Sequence, residues 1–279
     1  MSPMKIKDPH HLEKVRRFYA QVGDSYYHSD YPYFINVRDL HTLCLKELFE
    51  QRKFGGPYRT VLDIGCGTGT YLRYAARFCQ KGIGVDVSPE SIEQARLVAK
   101  EEGLDHLDFL CMDIVQNNLP DASIDCVYSY GDVLGHIPDY ERAIRELARI
   151  CRPGAVVSLE FDNKWYLKLL WDRAERREAL KNLKEGHLRT WVYKEQGLDL
   201  NTFTHREIAG LLRQHRFKVI RTYGFDFFTY LIPENYHFST ERGFMERFAL
   251  SLGKLDIALR GFWPINRLGY SKILFARKE

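Results

Sequence analysis

The chain has 279 residues, of which 45% are hydrophobic and 28% are charged. This length suits one large α/β domain with added segments, and no apolar run approaches the roughly 18 residues that cross a bilayer. A net charge of +4 is too small to indicate nucleic-acid binding, and the polar N-terminus lacks the apolar core of a signal peptide, so we expect a cytoplasmic protein. Six cysteines without a C-x-x-C pair predict reduced, mostly buried thiols and exclude a zinc ribbon or a disulfide framework.

Strands and helices alternate from residue 59 onward. "RTVLDI" predicts a strand, and the helix after the next glycines has its apolar positions at Leu72, Ala75, Ala76 and Cys79. "GIGVDVS" predicts the second strand. Ser88 and Pro89 then supply an N-cap and a first-turn proline for a helix that Gly103 ends.

The remaining elements continue this alternation. "LDFLC" and "IDCVYSY" predict strands three and four, a helix starts at about Asp139, and the turn "RPG" precedes strand five, "AVVSLEF". "THREIAGLLRQHR" and "FKVIRTY" predict another helix and strand, and "SKILFARK" predicts the last strand. Such alternation predicts an α/β fold, a mainly parallel sheet with helices on both faces.

The most informative stretch is the loop after the first strand, with glycines at 65, 67 and 69. Glycine allows positive φ values and close backbone approach to a ligand at the carboxyl edge of a parallel sheet. The spacing fails the G-x-G-x-x-G dinucleotide pattern by one position. Asp63, just before the glycines, disfavours a phosphate and favours a cation or an ammonium group.

The segment "LDIGCGTG" resembles the glycine motif of class I S-adenosylmethionine-dependent methyltransferases, in particular their small-molecule branch. Four later segments resemble further landmarks of that family in the right order: "GVDVS", "CMDIVQNNLPDASIDCVYS", "LGHIPD" and "RICRPGAVV". The resemblance extends from about Thr60 to Phe161. It implies a Rossmann-like, doubly wound, seven-stranded sheet that is mostly parallel, with the last strand antiparallel, and S-adenosylmethionine as cofactor.

The resemblance also implies the cofactor-binding residues. The loop of Gly65, Cys66, Gly67 and Gly69 would pass under the methionine and ribose portions, with Asp63 orienting the loop and the ammonium group. Asp86 would accept hydrogen bonds from both ribose hydroxyls, because an ionised carboxylate is an acceptor-only group. Further contacts would come from Asp113 to the adenine amino group, Val87 and Ile114 to the faces of the adenine ring, and a backbone carbonyl of Tyr130 or Gly131 to the ammonium.

The chemistry implied is in-line methyl transfer, for which a base is needed only when the acceptor arrives protonated. His136, after strand four, is the leading candidate for this base, because imidazole titrates near neutrality. It could equally cap the next helix or touch the cofactor. Asp132, His28 and His237 are weaker candidates, and no metal site is indicated.

Three additions surround the core, which we place at residues 58–161 and complete with 200–224 and 271–279. Residues 1–57 form an N-terminal cover rich in tyrosine, where Tyr19, Tyr26 or Tyr27 could place a ring against the sulfonium or simply pack on the core. Residues 163–195 form a helical insertion in which Leu167, Leu170, Trp171 and Ala174 make an apolar face. This insertion has nine Lys or Arg against four Asp or Glu between residues 164 and 194. This charge run is either a solvated face or a contact for an anionic substrate.

The third addition, residues 225–270, is rich in aromatic residues and places Phe244, Phe248, Leu252, Leu255 and Leu259 at helical spacing. We interpret it as a lid over an apolar or aromatic acceptor, with a dimer interface or added core as alternatives. The sequence thus predicts a single-domain methyltransferase that acts on a small, fairly apolar molecule at oxygen, nitrogen or carbon. The alternatives are an RNA methyltransferase and a catalytically silent cofactor-binding protein, and the oligomeric state stays open.

Overall fold

The computed structural model describes residues 6, 8, 10–185, 198, 200–233, 236 and 243–279, with the backbone alone described at 21–28, 178 and 181–185. In this part of the chain, one seven-stranded sheet forms the centre of the molecule. Its strands are β1 (Thr60–Ile64), β2 (Lys81–Asp86), β3 (Leu107–Cys111), β4 (Ile124–Ser129), β5 (Cys151–Asp162), β6 (Phe217–Phe225) and β7 (Ser271–Lys278).

The strand order across the sheet is β3-β2-β1-β4-β5-β7-β6. Strands β1 to β5 pair in parallel, whereas β7 runs antiparallel to both β5 and β6. This confirms the predicted fold. Because β1 and β4 are neighbours at the centre while β2 follows β1 on the other side, the order reverses beside β1, and ligands bind at such a switch point.

Helices cover both faces of the sheet. They are α1 (His11–His28), α2 (Pro32–Leu45), α3 (Thr70–Ala75), α4 (Pro89–Glu101), α5 (Val133–His136), α6 (Tyr140–Ile150), α7 (Arg173–Glu185), α8 (His205–Gln214) and α9 (Phe244–Leu259). The predicted start of α4 is confirmed, because the Ser88 hydroxyl accepts a hydrogen bond of 3.1 Å from the Ser91 amide and Pro89 lies in the first turn.

Alternate residues of the central strands enter two different cores, since successive side chains of a strand point to opposite faces. Leu62, Val127 and Leu274 pack in the core that contains residues of α6 and α8. Val61, Tyr128 and Phe275 pack in the core that contains residues of α2 and α4. The second face is the one on which the N-terminal helices lie, and it also carries the polar residues at the carboxyl edge.

Three local expectations were wrong. The "RPG" turn is an irregularity inside β5, where residues 152–155 lie opposite Asp125 alone, because Ile124 pairs with Cys151 and Cys126 with Val156. The helix after the glycines ends at Ala75 and continues only as a 3₁₀ turn to Phe78. The apolar face predicted for the 163–195 insertion does not pack, since Leu170 is 72% exposed and Trp171 is also exposed.

Helix α9 forms as predicted, but its aromatic face points outward. Phe244 is 73% exposed and Phe248 is 44% exposed. The buried side of α9 carries Ala249 and Gly253, and the Asn36 side chain of α2 donates to the Ala249 carbonyl at 3.3 Å. A Cβ on Gly253 would lie 2.1 Å from Asn36, so this helix contact depends on a glycine. Close backbone approach, rather than ring burial, holds α9 in place.

Candidate active site

The glycine loop joins the end of β1 to α3 in a left-handed backbone conformation. Gly65, Gly67 and Gly69 have φ values of +71°, +51° and +79°. The amides of Gly65 and Cys66 both donate to the Val85 carbonyl, at 2.8 and 3.1 Å, which ties the loop to β2. Non-glycine residues adopt these φ values only with strain, so three such positions in five residues fix the path of the loop.

The space around the three glycines differs. A Cβ on Gly65 would meet Val133 at 2.3 Å, and one on Gly69 would meet Phe109 at 2.6 Å. A Cβ on Gly67 would have nothing within 4 Å in the described part of the chain. The loop therefore presents open space at its centre and is packed at both ends, the arrangement of a cradle for a ligand.

Asp63 is the next-to-last residue of β1, two positions before Gly65 of this loop, and is only 2% exposed. Its polar neighbours include the Tyr128 hydroxyl and the Asp86 carboxylate, and burial raises the pKa of Asp63 well above its usual range. One carboxyl oxygen, Oδ2, has no hydrogen-bond partner among the described residues. Since buried polar atoms are nearly always paired, this oxygen fits a ligand donor better than a purely structural cap.

Asp86 is the last residue of β2 and faces the glycine loop. Its Oδ2 accepts from the Gly67 amide and its Oδ1 accepts from the Ser88 amide, both at 2.9 Å. Burial raises its pKa, and these two backbone hydrogen bonds partly offset that rise. Each carboxylate oxygen keeps a second lone pair, so the group can still accept hydrogen bonds from a diol.

The three residues expected at the adenine end lie beyond β2 and β3. Asp113 caps a 3₁₀ turn, its Oδ1 accepting from the Val115 amide at 2.9 Å. Ile114 is buried in the core on the α6 side, whereas Val87 packs against a small cluster that includes Val15 and Phe18 of α1. Helix α1 thus covers the loop end of β2, and the two predicted adenine contacts belong to different clusters.

Tyr130 directly follows β4, and its side chain points into the core rather than into the loop region. Its hydroxyl is 2.8 Å from the Ser158 hydroxyl, and its ring stacks on His41 of α2 at a centroid distance of 5.0 Å. Only the backbone of residues 130 and 131 is therefore available to a ligand. Gly131 is exposed and has a φ of +85°, and its amide donates to the Glu160 carboxylate.

A buried ion pair that the sequence did not indicate supports this backbone. Nε2 of His41 lies 2.9 Å from Oε2 of Glu160, and Nδ1 of His41 lies 2.6 Å from the Tyr71 hydroxyl. Burial raises the pKa of Glu160, but the neighbouring His41 and hydrogen bonds from Gly131 and Ser271 lower it by more, so the net shift is downward. No motif links residues this distant in sequence, so only the fold brings α2, α3 and β5 together here.

His136 ends α5, the short helix that follows Gly131, and it is buried. Its Nε2 lies 3.0 Å from the Tyr19 hydroxyl of α1, and Nε2 of His11 lies 3.1 Å from its carbonyl oxygen. Burial first, and the nearby His11 second, lower the pKa of His136 to about 3. The imidazole is neutral near pH 7, and α1 holds it against the carboxyl edge of the sheet.

Other predicted residues have different outcomes. Asp125 of β4 bonds backbone, because it accepts from the amides of Arg59 and Thr60 at 2.9 and 2.7 Å. Asp132 caps the start of α5 beside Gly131. The side chains of Tyr26, Tyr27 and His28, and all of His237, lie outside the described residues.

The site as a whole fits the cofactor that the motifs imply. It offers an open cradle over Gly67, an orphaned oxygen on Asp63 and a two-oxygen acceptor at Asp86. In the described part of the chain, no group of three or more His, Cys, Asp or Glu could hold a metal ion. Likewise, no helix there is long and apolar enough to cross a membrane.

Comparison with known proteins gives consistent findings. A family model described as a methyltransferase domain matches residues 62–159. Sterol 24-C-methyltransferase erg6 of Aspergillus fumigatus is 38% identical over 98 residues, which are 34% of this chain and 26% of that protein. A tRNA (guanine-N(7)-)-methyltransferase of Rubrobacter xylanophilus is 29% identical over 184 residues, 62% of this chain and 77% of that protein.

Solved structures share the fold at low sequence identity. N-methyltransferase NodS of Bradyrhizobium japonicum WM9, in complex with S-adenosyl-L-homocysteine, aligns with a TM-score of 0.57 at 15% identity, over 96% of this chain and 98% of that chain. The chain spans about a quarter of the length of the first curated relatives it matches, 26% and 27%. The match is thus centred on the β1–β5 half of the sheet, where the glycine loop lies.

Proposed function

We propose that the chain is a class I S-adenosylmethionine-dependent methyltransferase, as the methyltransferase-domain match over residues 62–159 supports, and that it transfers a methyl group from this cofactor to a small, fairly apolar or aromatic acceptor. Natural products and lipid precursors are the acceptors this description covers. The observation that carries the proposal is the cradle over Gly67, whose amide is hydrogen-bonded to Asp86 at the end of the neighbouring strand.

The residues around the cradle have distinct proposed roles in holding the cofactor. Asp86 would accept hydrogen bonds from the ribose hydroxyls while keeping its hydrogen bond from the Gly67 amide. The same carboxylate would then hold both the glycine loop and the ribose. Asp63 and the carbonyl of Tyr130 would receive the ammonium group, and Gly65 and Cys66 would lie under the methionine chain. Asp113, Val87 and Ile114 would bind the adenine ring. Tyr26 of α1 would place its ring against the sulfonium.

When bound, S-adenosylmethionine supplies a methyl group on a positively charged sulfonium, which becomes a neutral thioether on transfer. The protein's contribution is to align the acceptor and to exclude water, and the covering helix α1 serves the second purpose. His136 would take the acceptor's proton where one has to leave. A buried imidazole is a weak base, but it accepts a proton more readily once the positive charge beside it has been lost.

Two observations support a small acceptor with apolar character. The carboxyl edge on the α2 face is lined by aromatic side chains of the N-terminal cover and of the 225–270 segment, including Tyr33, Tyr230 and Tyr270. The Aspergillus relative is by name a sterol methyltransferase. Both agree with an apolar body for the acceptor, and neither defines its reacting atom.

The test of the function has two steps. Calorimetry with S-adenosyl-L-homocysteine should show one binding site per chain, and the same titration with NAD should show none. Radiolabelled S-adenosylmethionine should then transfer its methyl group to a solvent-extractable product when the protein is incubated with cell metabolites. Cofactor binding without any transfer would favour the catalytically silent alternative, and the absence of cofactor binding would contradict the proposal altogether.

An RNA acceptor is the second candidate, because the tRNA methyltransferase of Rubrobacter is matched over 62% of this chain. The basic insertion at 163–195 would be its contact, although residues 186–195 lie outside the described part. Lys164 is already bound to Glu207 at 2.8 Å, and Lys168 to Glu175 at 3.2 Å, which reduces the charge left for phosphates. Ribonuclease sensitivity of the labelled product separates the two candidates.

A further inference from the structure

Three carboxyl groups lie side by side at the carboxyl edge of β4, β5 and β6, beyond the cofactor cradle. Asp132 follows β4 by three residues, Asp162 ends β5 and Asp226 directly follows β6. The Asp162 amide donates to Oδ1 of Asp132 at 3.2 Å. Since Asp162 and Phe225 both pair with Ser271 of β7, Asp162 and Asp226 flank the start of that strand.

These carboxyl groups are buried and largely uncompensated. Asp226 is 2% exposed, its Oδ1 accepts from the Thr229 hydroxyl at 3.0 Å, and its Oδ2 has no hydrogen-bond partner among the described residues. Oδ2 of Asp132 lies against the backbone of α5, 2.4 Å from the position of a Cβ on Gly135, so Asp226 supplies the oxygen without a partner. Burial raises the pKa of Asp226 well above its usual range, and the carboxylates of Asp256, Asp162 and Glu160 raise it further.

Three tyrosine rings pack beside these carboxyl groups. The rings of Tyr166, Tyr230 and Tyr270 contact one another, with centroid distances of 5.0, 5.1 and 6.1 Å. The Tyr270 hydroxyl hydrogen-bonds the Asp162 carboxyl, and Tyr230 is influenced electrostatically by Asp226, Asp162 and Tyr33. Tyr230 already attracts one cation, because Lys168 Nζ lies 5.5 Å from its ring centroid.

A buried oxygen without a partner, carboxyl groups without counter-charges and electron-rich ring faces all favour the same kind of ligand. Because burial favours the neutral form of these carboxyl groups, an anion gains no favourable charge interaction from them, and a neutral hydroxyl donates only a single hydrogen bond. An ammonium group compensates the charge, donates a hydrogen bond to the orphaned oxygen of Asp226 and binds the faces of aromatic rings. The carboxyl groups, kept neutral by burial while the pocket is empty, would ionise when such a cation enters.

We propose that the methyl acceptor carries an amine whose ammonium form binds beside these side chains, in a site that we call the carboxyl–tyrosine pocket and define by Asp132, Asp162, Asp226, Tyr230 and Tyr270. Where this nitrogen is the atom that is methylated, an ionised carboxylate of the pocket takes its proton. The freed lone pair then forms the new N–C bond as the S–C bond breaks and leaves a neutral thioether. The proposal rests on the proposed function, because the pocket is taken as the acceptor side of the same site. It narrows the acceptor from a small apolar molecule to one with an apolar or aromatic body and a cationic amine. The contact from Asp162 to Asp132 makes the pocket continuous with the backbone at Gly131.

The test uses the full chain saturated with S-adenosyl-L-homocysteine and three probes of one shape: 2-phenylethylamine, 2-phenylethanol and 3-phenylpropionate. Calorimetry at pH 7.5 should show the amine binding about tenfold tighter than the alcohol, with the carboxylate weakest. Asp226→Asn and Asp162→Asn should each remove most of this preference, and Tyr230→Leu should weaken amine binding several-fold. Asp108→Asn, an exposed partner of Lys81 on β3, is the matched control and should change nothing.

The outcomes are separable. Failure to bind S-adenosyl-L-homocysteine would contradict the proposed function itself. Normal cofactor-product binding with equal affinity for amine and alcohol, or with no probe bound, would overturn the amine proposal alone. An equal loss of S-adenosyl-L-homocysteine affinity in Asp226→Asn would also overturn it, because the carboxyl groups would then serve the cofactor. If one variant fails to fold, the amine-to-alcohol preference of the unmodified protein and of Tyr230→Leu still decides.

Discussion

The Tyr19 hydroxyl lies 3.0 Å from Nε2 of His136, and the two rings meet edge to face at 5.5 Å. This contact joins α1, which precedes the sheet in sequence, to α5, which follows β4. Val87 packs against the same part of α1. Helix α1 therefore touches both the adenine end and the catalytic end of the proposed site, and a ligand that enters between them has to displace or open it.

Removing this contact should impair the reaction without impairing the fold. His136→Ala should lower kcat by about 10² or more if the imidazole is the base, and Tyr19→Phe should lower it only about fivefold, the value of one hydrogen bond. Tyr74→Phe, which loses a surface bond to Glu50, is the matched control. Steady-state kinetics with the acceptor measures both effects, and full activity in His136→Ala would leave alignment alone as the source of catalysis.

The acid side of the pH profile provides an independent check of His136. Since its pKa in the free protein is lowered to about 3, the imidazole stays unprotonated down to about that pH. The pH profile of kcat/KM should therefore show no decrease near pH 6.5 caused by protonation of His136. The unfolded chain protonates this group at about 6.5, so the free energy of unfolding should fall as the pH drops from 6.5 toward 3. Urea unfolding of wild type and His136→Asn at pH 5 and 7.5 measures this loss. A decrease of kcat/KM near pH 6.5 in the wild type that is absent in His136→Asn would show that bound ligands restore the ordinary pKa of the His136 imidazole.

Two glycines of the loop should respond differently to the same added methyl group. A Cβ on Gly67 meets no atom within 4 Å, whereas a Cβ on Gly69 meets Phe109 at 2.6 Å. Both residues have positive φ, so the backbone strain of about 1 kcal/mol is shared. Gly69→Ala should thus lose more melting temperature, while Gly67→Ala should lose more affinity for S-adenosyl-L-homocysteine. Equal cofactor affinity in Gly67→Ala and wild type would remove the cradle from the binding site.

Asp86 has a structural and a proposed binding role, and its variants separate them. Asp86→Asn keeps an acceptor for one amide but loses the charge, so it should weaken S-adenosyl-L-homocysteine binding about tenfold or more. Asp86→Ala also loses the acceptors of the Gly67 and Ser88 amides and should lower the melting temperature as well. Calorimetry and thermal unfolding measured on the same samples distinguish the two roles. Unchanged affinity in folded Asp86→Asn would exclude Asp86 from the site.

The sequence predicted the sheet and the cradle well because both depend on local signals. Apolar runs, the N-cap at Ser88 and the spacing of the glycines are properties of short segments, and the structure has the corresponding strands, helix start and left-handed loop. The contact between His41 and Glu160 and the proximity of the carboxyl groups to the tyrosine rings around Asp162 were missed. Their members come from α2, β5 and the segments around β7, and no periodicity connects residues that only the sheet order makes neighbours.

Helix α9 shows a different limit of the sequence, in which a clear pattern predicts the helix but not its packed side. Its aromatic residues recur at helical spacing, yet the buried side carries Ala249, Gly253 and two acidic residues. Gly253 lets the helix backbone approach Asn36 of α2, and Asp256 accepts hydrogen bonds from the Phe227 and Phe228 amides. A helix that packs by backbone proximity leaves its larger residues for the outside. The pattern therefore predicted the helix and could not predict which side packs.

The outward pair on α9 gives the last prediction. Phe244 and Phe248 stack on each other at a centroid distance of 6.1 Å and are both exposed, which excludes the core role among the three alternatives for this face. The double variant Phe244→Ala/Phe248→Ala should thus keep its free energy of unfolding within about 0.5 kcal/mol of wild type, as expected for exposed positions. Its kcat/KM for the acceptor should also stay unchanged if the rings remain outside the site. A selective loss of kcat/KM would restore the lid role for these rings. A loss of stability accompanied by a lower mass in light scattering would show that a second copy of the chain covers the two rings. Leu97→Ala, which changes an exposed apolar residue on α4, is the control for the free energy of unfolding and for kcat/KM.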